Sequence, residues 1–327
     1  MIPTNLNQGN QKLKGSESNS THGNAPLISV IICTYNREKY LGKCLDAFRN
    51  QTAKNQEYEL VIINNNSPGI TPEICQNFLN DNPTINAYYF VETNQGLAHA
   101  RNKGIKESRG EYLSFIDDDA FVKPNFIAAI KSYFKQNPET SVVGGKILPI
   151  YESGKEPAWM TPYLETLMAA QNLGDEVVEF GSRKFPIGAN MVFQKEAFNR
   201  VGMFNPELGR KGNSLEGGEE KDIIFKIRQQ KGRVFYSPEI IVDHIIGENR
   251  EEMSYIQKMG KGLGKSEMIR VKQKGAIGVI GKIGEEAFKW AATFVLLFYY
   301  LITGNPSKGT VLLKFRYWIF TGLFFEK

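Results

Sequence analysis

The stretch LISVIICTYNREKYLGKCLDAF, residues 27–48, predicts a strand followed at once by a helix. LISVIIC at 27–33 is an unbroken apolar run rich in β-branched residues, which is typical of a strand buried on both faces. In REKYLGKCLDAF at 37–48 the apolar side chains recur at helical spacing. The polar residues Thr34-Tyr35-Asn36 lie between the two, so we expect a strand, a polar loop and a helix.

The same alternation continues to about residue 134, and it predicts an α/β fold. We expect further strands at 59–65, 87–92 and 111–117, separated by helices at 71–79, 96–108 and 124–134. Strands and helices that alternate in this way favour a mostly parallel central sheet with right-handed crossovers. After VVGGKI at 142–147 the pattern predicts a mixed second half, with short strands at 189–193 and 234–237 and a helix across 220–230.

Composition divides the chain into three parts. The 327 residues are 41% hydrophobic, which is enough for a folded domain, and we place that domain at 26–250. Residues 1–25 are rich in polar residues and have no apolar stretch of the kind a signal peptide needs, so they predict a disordered tail and a cytosolic start. Cys33, Cys44 and Cys75 show no CxxC spacing, which fits a reducing compartment better than a disulfide framework or a zinc site.

The third part, residues 251–327, predicts helices that contact a membrane. From 253 onward the chain has 12 Lys or Arg against 4 Asp or Glu, together with apolar, aromatic runs at 290–302 and 309–325. The first run has 13 residues, fewer than the roughly 20 that a spanning helix needs. Three interpretations remain open: core helices packed on the main domain, one tilted span from about Ala287, or interfacial or re-entrant helices on an anionic cytoplasmic leaflet. We favour the last, and we expect a membrane surface and no nucleic acid as the partner of this region.

Three polar clusters follow predicted strands at their carboxyl ends. In open α/β sheets ligands bind beyond the carboxyl ends of parallel strands, so we expect the clusters to form one site. The clusters are Thr34-Tyr35-Asn36, Asn64-Asn65-Asn66-Ser67 and Asp117-Asp118-Asp119.

The run FIDDDAF, residues 115–121, places three carboxylates side by side, where their like charges repel one another. Taken alone, the triplet is as typical of a solvated turn or a helix cap as of a ligand site. Carboxylates at a strand end also suit Mg²⁺ or Mn²⁺, which complete their coordination with substrate phosphates. Because alternate residues of an extended segment point to the same side, Asp117 and Asp119 could share a metal while Asp118 faces a sugar hydroxyl.

A second acidic pair, Glu219-Glu220, begins the predicted helix in GGEEKDIIFKIRQQ, residues 217–230. Two interpretations are open: acidic residues favoured by the helix dipole, or a general base presented by a Gly-flexible loop. His244, in the apolar run IIVDHIIG at 240–247, is more typical of a core histidine than of a ligand. It becomes a candidate ligand only if the fold brings it to the carboxylates.

Taken together, these segments resemble the family 2 glycosyltransferases. The resemblance covers about 28–250 and depends on several motifs that occur in the family's order. The matching stretches are SVIICTYNREKYLGKCLDAF (29–48), LVIINNNSPG (60–69), NQGLAHARNKGI (94–105), YLSFIDDDAFVKP (112–124), GANMVFQKEAFNRVGMFNPELGR (188–210) and GGEEKDIIFKIR (217–228).

The resemblance implies a Rossmann-like nucleotide-diphospho-sugar transferase fold of the GT-A type, with a donor site at the strand ends. Asp119, the last residue of the DxD motif, would hold Mn²⁺ or Mg²⁺ with Asp117 as a supporting ligand, and Asp118 would contact the ribose. His244 lies where related enzymes place a further metal or diphosphate contact. The other donor-site residues that it implies are Thr34, Tyr35, Asn36, Arg37, Asn64, Asn65 and Arg101. Of these, Arg101 would lie near the diphosphate or the nucleobase.

The resemblance also implies that Glu220 is the catalytic base and that residues 188–191 form the acceptor side. Two departures from the family pattern affect this assignment. The family commonly has Asp after the second strand, where this chain has Asn64, whose amide can both accept and donate a hydrogen bond. The base is usually the Asp of a Glu-Asp pair, whereas here it is the longer Glu220, with Glu219 beside it as an alternative.

The implied reaction is a metal-dependent, inverting transfer of a sugar from a UDP-, GDP- or dTDP-linked donor to a saccharide or lipid-linked acceptor. We expect a non-processive enzyme, since neither a Gln-x-x-Arg-Trp motif nor several spanning segments can be read in the sequence. Its expected place is cell-surface polysaccharide or glycolipid biosynthesis, in the cytoplasm, peripheral or monotopic on the inner face of the cell membrane. The alternatives are a non-catalytic sugar-nucleotide-binding protein and a sugar nucleotidyltransferase, which would need an early Gly-rich loop where this chain has CTYNREKY (33–40).

Overall fold

A central sheet flanked by helices forms the main domain in the computed structural model, which describes residues 13–14, 25–182, 184–209, 218–272 and 275–325. The strands are β1 (Leu13–Lys14), β2 (Ile28–Thr34), β3 (Tyr58–Asn64), β4 (Ala87–Val91), β5 (Tyr112–Asp117), β6 (Ala120–Val122), β7 (Thr140–Tyr151), β8 (Val178–Glu179), β9 (Met191–Gln194) and β10 (Arg233–Ile246). The helices are α1 (Glu38–Asp46), α2 (Thr71–Asp81), α3 (Leu97–Glu107), α4 (Phe126–Gln136), α5 (Lys195–Val201), α6 (Glu219–Gln229), α7 (Met253–Lys272), α8 (Gly275–Ile302) and α9 (Pro306–Phe324). Two short 3-10 helices cover Glu165–Met168 and Glu248–Arg250.

The order of strands in the sheet is β1-β4-β3-β2-β5-β9-β7-β10-β6, with β8 paired to β10. β4, β3, β2 and β5 run parallel to one another, whereas β9 is antiparallel to both β5 and β7. β10 is parallel to β7 and antiparallel to β6. The predicted α/β fold with a central sheet is confirmed, although the parallel arrangement is limited to β4 through β5 and to the β7–β10 pair.

The strands and helices expected up to residue 134 are all present, with their ends within two residues of the predicted ones. β10 differs most, because the short strand predicted at 234–237 is only the beginning of a strand of 14 residues. Proline has no N–H to donate to a neighbouring strand, and the register of β10 on β7 shifts between Ser237 and Ile241, around Pro238. Pairing then resumes and extends β10 to Ile246.

Two hydrophobic clusters pack on opposite faces of the sheet. Val30 and Ile32 of β2 pack with residues of α1, α2 and α4, whereas Ile31 packs with residues of α3, α5 and α6. β3 is buried along its whole length. The strand buried on both faces that LISVIIC predicted is therefore confirmed.

A third hydrophobic cluster joins the C-terminal helices to the main domain. Helix α9 packs against both α7 and α8, and the backbones of α7 and α9 come close together at Gly264 and Gly322. Side chains larger than hydrogen at these two glycines would overlap the backbone of the facing helix. The cluster contains Met160, Leu164 and Met168 of the main domain and Ile256, Val311, Leu312 and Phe315 of the helices.

Helix α8 leaves most of its apolar side chains exposed. Among the described helices, none is both long enough and apolar enough to cross a membrane. The interpretation as core helices therefore fits α9 and not α8, and contact with a membrane stays a prediction. The exposed large apolar residues of α8 are Ile277, Ile280, Ile283, Phe288, Phe294, Val295, Phe298, Tyr299, Leu301 and Ile302.

The N-terminal segment has two described residues before residue 25, and they form β1, which pairs antiparallel with β4. The remainder of the predicted disordered tail, residues 1–12 and 15–24, lies outside the described residues. Its disorder and the domain limits at 26–250 and 251–327 stay predictions.

Candidate active site

The carboxyl ends of β2, β3 and β5 meet at one edge of the sheet. β2 lies between the other two strands, with Thr34 in register with Asn64 and Cys33 in register with Asp117. The three polar clusters that follow these strands are therefore neighbours in space, as their positions in the sequence predicted.

β10 brings a further residue to this edge. It pairs antiparallel with β6 so that His244 lies opposite Ala120, and the backbone N–H of Ile245 donates to the carbonyl of Asp119 at 2.9 Å. This pairing places His244 Nε2 3.1 Å from Asp119 Oδ1, with both side chains nearly buried. The condition that made His244 a candidate ligand is met.

The orientation of the His244 ring is set by a backbone carbonyl. Nδ1 lies 3.0 Å from the carbonyl oxygen of Met168, and because a carbonyl only accepts, Nδ1 holds a proton in this hydrogen bond. Nε2 then faces the Asp119 carboxylate, an arrangement that is favourable with a proton or a metal cation between the two atoms. Metal-binding imidazoles are commonly oriented in this way, through the second ring nitrogen.

Asp117, Asp119 and His244 could hold a metal ion together. Their ligand atoms lie within 4.8 Å of one another. Two carboxylates and an imidazole are a donor set that suits Mn²⁺ and related divalent ions. Asp118 is not part of this group. Asp118 and Asp119 lie in the turn between β5 and β6, so the alternation of an extended segment does not explain why Asp118 is separate.

The two buried aspartates have pKa values shifted in opposite directions. Burial, followed by the charge of Asp119, raises the pKa of Asp118 to about 7. Burial also acts to raise the pKa of Asp119, but His244, Arg250 and Arg37 outweigh it and hold that pKa well below its usual value. Asp119 is therefore the ionised member of the pair at neutral pH, as a cation ligand has to be.

Two arginines contact Asp119, and sequence reasoning missed one of them. Arg250 Nη2 lies 2.7 Å and Arg37 Nη2 lies 3.0 Å from Asp119 Oδ2. Arg37 directly follows the cluster after β2 and was expected at the nucleotide. Arg250 ends the 3-10 helix after β10, and its only signal in the sequence is its spacing of six residues from His244. That spacing alone does not predict a site residue. It becomes informative only once β10 is known to end beside the aspartates.

Arg101 connects Asp117 to the predicted base. Its Nη1 lies 3.0 Å from Glu219 Oε1 and 3.1 Å from Glu220 Oε1, and its Nη2 lies 3.9 Å from Asp117 Oδ1. The guanidinium is almost fully buried and lies over the ring of Phe204, at 5.4 Å from the ring centre. Arg101 thus contacts carboxylates on both of its sides. A contact with the diphosphate or the nucleobase of the donor stays a prediction.

Glu219 and Glu220 begin α6 directly after Gly218, whose φ of 123° favours glycine. The side chain of Glu219 is 2% exposed, whereas that of Glu220 is 20% exposed. A methyl group at Gly188 would overlap the Glu220 carboxylate and the Arg101 guanidinium, so a larger residue there would displace one of these two groups. Glu220 is the more accessible carboxylate and borders the predicted acceptor segment.

The rest of that segment lies in the interior. Ala189, Asn190 and Met191 are fully buried, and the Asn190 amide donates to the carbonyls of Lys146 and Ile240. Within the described residues 188–191, only Gly188 lies against residues of the site, namely Arg101 and Glu220. Residues 189–191 lead into β9 and hold that strand in place behind the site.

Asn64 and Asn65 are also buried, and they use their amides within the protein. Asn64 donates to the Tyr89 hydroxyl at 2.8 Å and accepts from the Ser67 N–H at 2.8 Å. Asn65 makes three hydrogen bonds to backbone groups of the loop at 92–96. Both residues hold the loops after β3 and β4 in place, and their contact with a nucleotide stays a prediction.

The segment after β2 is more open. Thr34 is nearly buried, Tyr35 is half-buried, and Asn36 is exposed with a positive φ of 55°. The N–H of Asn36 donates to the Ser67 hydroxyl at 3.1 Å, which ties the loops after β2 and β3 together. The side chain of Arg37 is 32% exposed, so this loop borders solvent on the same side as the aspartates.

Comparison with known sequences decides the family. Residues 29–202, more than half of the chain, match Glycosyl transferase family 2. The chain belongs to this family. It is therefore a glycosyltransferase, and the resemblance read from its motifs is confirmed. This membership decides against the sugar nucleotidyltransferase that the sequence left open.

Its relatives are archaeal and bacterial glycosyltransferases. The glucosyl-dolichyl phosphate glucuronosyltransferase of Haloferax volcanii is 26% identical over 70% of this chain and 72% of its own length. Glycosyltransferase GlyG of Streptococcus pneumoniae is 28% identical over 55% of this chain and 60% of its own length. Other relatives are matched over less than half of their length, as is the minor teichoic acid biosynthesis protein GgaB of Bacillus subtilis, at 12%.

Solved structures show the same fold. The mannosyltransferase PcManGT from Pyrobaculum calidifontis, solved with GDP-Man and Mn²⁺, superimposes with a TM-score of 0.61 at 17% identity, over 93% of this chain and 88% of its own. Residues 1–349 of S. aureus TarS give a TM-score of 0.50 at 18% identity, over 72% of this chain and 65% of that one. At these identities the likeness concerns the fold, and it identifies the glycosyltransferase as a GT-A type.

Proposed function

We propose that this glycosyltransferase is a metal-dependent, inverting and non-processive enzyme. It transfers a sugar from a UDP-, GDP- or dTDP-linked donor to a saccharide or lipid-linked acceptor, in cell-surface polysaccharide or glycolipid biosynthesis. The observation that supports this most is a continuous series of ionisable side chains from His244 and Asp119 through Asp117 and Arg101 to Glu220. A candidate cation site and a candidate base are thereby connected through one arginine.

Asp117, Asp119 and His244 are the residues that would hold Mn²⁺ or Mg²⁺. When bound, such an ion neutralises the charge that develops on the leaving diphosphate. Two features support the fit: the lowered pKa of Asp119 and the His244 Nε2 that faces its carboxylate. Asp118 would bind the ribose, and residues 34–37 would line the nucleotide.

Glu220 is the proposed general base. It would take the proton of the acceptor hydroxyl while that oxygen attacks the anomeric carbon and the bond from this carbon to the diphosphate oxygen breaks. A base on the face opposite the leaving group leads to inversion in a single displacement. Arg101 would orient the Glu220 carboxylate through their 3.1 Å contact, and the more deeply buried Glu219 would hold Arg101 in place.

We also propose that the C-terminal helices bind the inner face of the cell membrane, peripherally or monotopically, so that the acceptor is lipid-linked or close to the membrane. Support comes from the exposed apolar side chains of α8 and from the excess of 12 basic over 4 acidic residues after 253. Apolar side chains insert at the headgroup boundary, while Lys and Arg are attracted to anionic lipids. The name of the Haloferax volcanii relative includes a dolichyl phosphate, which is a lipid.

Donor binding is the direct test of this function. Thermal unfolding of the wild type is measured with UDP-, GDP- and dTDP-sugars, each with and without Mn²⁺. We expect one nucleotide class to raise the Tm, and to do so in the presence of the metal, because a ligand that binds the native state stabilises it. The anomeric configuration of the transfer product, read by NMR, then tests inversion.

Asp119→Asn should lose the metal-dependent shift in Tm, and Asp117→Asn should only weaken it. The matched control is Asp46→Asn, since Asp46 lies on α1 with its side chain 54% exposed. An unchanged donor shift in Asp119→Asn, or an equal shift of the wild type in EDTA, would contradict the proposed metal site.

A further inference from the structure

The Asp119 carboxylate has basic side chains at both of its oxygens. Arg250 Nη2 and Arg37 Nη2 converge on Oδ2, at 2.7 Å and 3.0 Å, and His244 Nε2 lies 3.1 Å from Oδ1. Two guanidinium groups thus share one oxygen of a residue that is itself a candidate metal ligand. A metal ion on Oδ2 and the two guanidinium groups would compete for the same lone pairs.

Arg250 is the more firmly held of the two arginines. Its side chain is 8% exposed, against 32% for Arg37. Its backbone N–H donates to the carbonyl of Gly247 at 2.8 Å, which closes the turn between β10 and α7. Its Nη1 also lies 3.5 Å from His244 Nε2, so the guanidinium touches two of the three candidate ligands.

Burial of a charged side chain is costly unless it is paired, and a guanidinium presents five donors in a plane that matches carboxylates and phosphates. A phosphate oxygen beside Asp119 would therefore be an alternative partner of equal chemistry for Arg250. A diphosphate has to lie beside Asp119 if that residue holds the metal of a nucleotide-sugar donor.

We propose that Arg250 is a diphosphate-binding residue that pairs with Asp119 in the donor-free enzyme and with the distal phosphate of the donor in the complex. This inference rests on the proposed nucleotide-diphosphate donor. A cation that binds Asp119 displaces the guanidinium, and the phosphate supplies its new acceptor. Metal and diphosphate therefore favour each other's binding, because the diphosphate draws the guanidinium away from the Asp119 oxygen that the metal needs, and the metal frees the guanidinium for the diphosphate.

The competing explanation is that Arg250 only holds Asp119 in place. The two explanations differ in sign for one measurement. If Arg250 competes with the cation, its removal strengthens the binding of metal alone. If it only supports Asp119, its removal weakens the binding of metal and of nucleotide together.

The experiment uses the full chain with Arg250→Met. Mn²⁺ alone is titrated by electron paramagnetic resonance, and UDP, GDP or dTDP, whichever the wild type binds, is titrated by calorimetry beside its monophosphate. We expect Mn²⁺ alone to bind several-fold more tightly and the diphosphate to bind roughly 10- to 100-fold more weakly, as for loss of a hydrogen bond between charged groups. The affinity for the monophosphate, which lacks the distal phosphate, stays close to that of the wild type.

Arg49→Met is the matched control, since Arg49 pairs with Asp46 on the exposed side of α1, and it should change neither affinity. Arg250→Lys keeps the charge without the planar fork, so it should recover part of the diphosphate affinity, and it replaces Arg250→Met if that variant does not fold. An unchanged ratio of diphosphate to monophosphate affinity, or a parallel loss of Mn²⁺ and nucleotide binding, would overturn the inference. A wild type that binds none of the three diphosphates would instead reject the proposed function, and it would do so without any variant.

Discussion

The sheet domain and helix α8 of the C-terminal region differ in how far their apolar side chains are buried. All seven residues of β3 are buried, whereas α8 leaves ten large apolar side chains exposed, with Ile277 and Ile302 each at 86%. Burial of apolar surface stabilises a fold by about 25 cal/mol per Å², and among the described residues β3 obtains this gain whereas most of the apolar side chains of α8 do not. Exposed apolar patches of this kind mark interaction surfaces, and α8 is a candidate for such a surface, with lipid as the partner that we propose.

Buried charges differ between the two regions as well. In the sheet domain, Arg101 and Asp119 lie at the candidate site, and the fully buried Glu59 pairs with Arg109 at the other end of β3. In the helical region, Lys282 and Glu286 pair at 3.2 Å, and Lys282 also contacts Glu267 of α7 at 3.3 Å. Glu267 in turn lies 3.7 Å from Lys221, the residue that follows Glu220 on α6. The buried charges of the second region thus hold helices together and contact the helix of the candidate base.

The largest effect is expected from Glu220→Gln. This variant tests whether the sheet domain supplies the general base for sugar transfer. Loss of a general base lowers kcat by roughly 10²- to 10⁴-fold. The measurement is the steady-state rate of transfer to a water-soluble acceptor, with the melting curve as a check on folding. Glu73→Gln, an exposed change on α2, is the control and should leave the rate unchanged. A large loss in Glu219→Gln with full activity in Glu220→Gln would reverse the assignment of the base.

The same substitution in the two regions tests the comparison itself. Ile62 of β3 is fully buried and Ile280 of α8 is 69% exposed. Ile62→Ala should lower the free energy of unfolding by about 2–5 kcal/mol, because it removes buried methyl groups and leaves a cavity. Ile280→Ala should change it by less than about 0.5 kcal/mol. Urea unfolding measures both, and equal losses would show that α8 is packed in solution and would remove the contrast.

Binding to lipid vesicles tests whether the exposed apolar side chains of α8 contact a membrane. Ile280→Ala should weaken binding to vesicles of anionic and zwitterionic phospholipid by up to about tenfold, because less apolar surface enters the headgroup region. Cosedimentation over a range of lipid concentrations gives the affinity. The matched control is Ile70→Ala, since Ile70 is 55% exposed beside α2 in the sheet domain. Equal losses in both variants, or a wild type that does not bind these vesicles, would contradict the membrane contact.

The smallest effect concerns pH and belongs to the sheet domain alone. The pKa of Asp118 is raised from 3.8 to about 7, so the native state holds this proton more strongly than the unfolded state does. The contribution of Asp118 to stability is therefore present below about pH 4 and is lost as pH rises through about 7. Asp118→Asn should flatten the fall in Tm between pH 5 and 8 in metal-free buffer, relative to the wild type. A parallel pH dependence in the two proteins would show that Asp118 is not shifted.

Much of the sheet domain could be predicted because its signals are local. The apolar runs at 27–33 and 59–65 have the length and residue types of buried strands, and the structure places their ends within two residues. The clusters after the strands had to be neighbours once the strands were parallel, since parallel strands end at one edge. The short β9 also lies within two residues of the strand predicted at 189–193, whereas the second half of β10 was missed because its pairing partners are distant in the chain.

The sequence by itself determined which residues are available at the strand ends and in what order the elements follow. It also determined that the last part of the chain is basic and apolar. Only the tertiary structure decided that Arg250 lies on Asp119, 131 residues away, and that Arg101 lies between Asp117 and Glu220. The physical reason is that periodicity reports the contacts within one strand or helix. The Arg250–Asp119 pair depends on the continuation of β10 past Pro238 and its pairing with β6, and the Arg101 contacts depend on the packing of α3 and α6 on the same face of the sheet. Hydrogen bonds between distant strands and the packing of distant helices brought the side chains of the candidate site together.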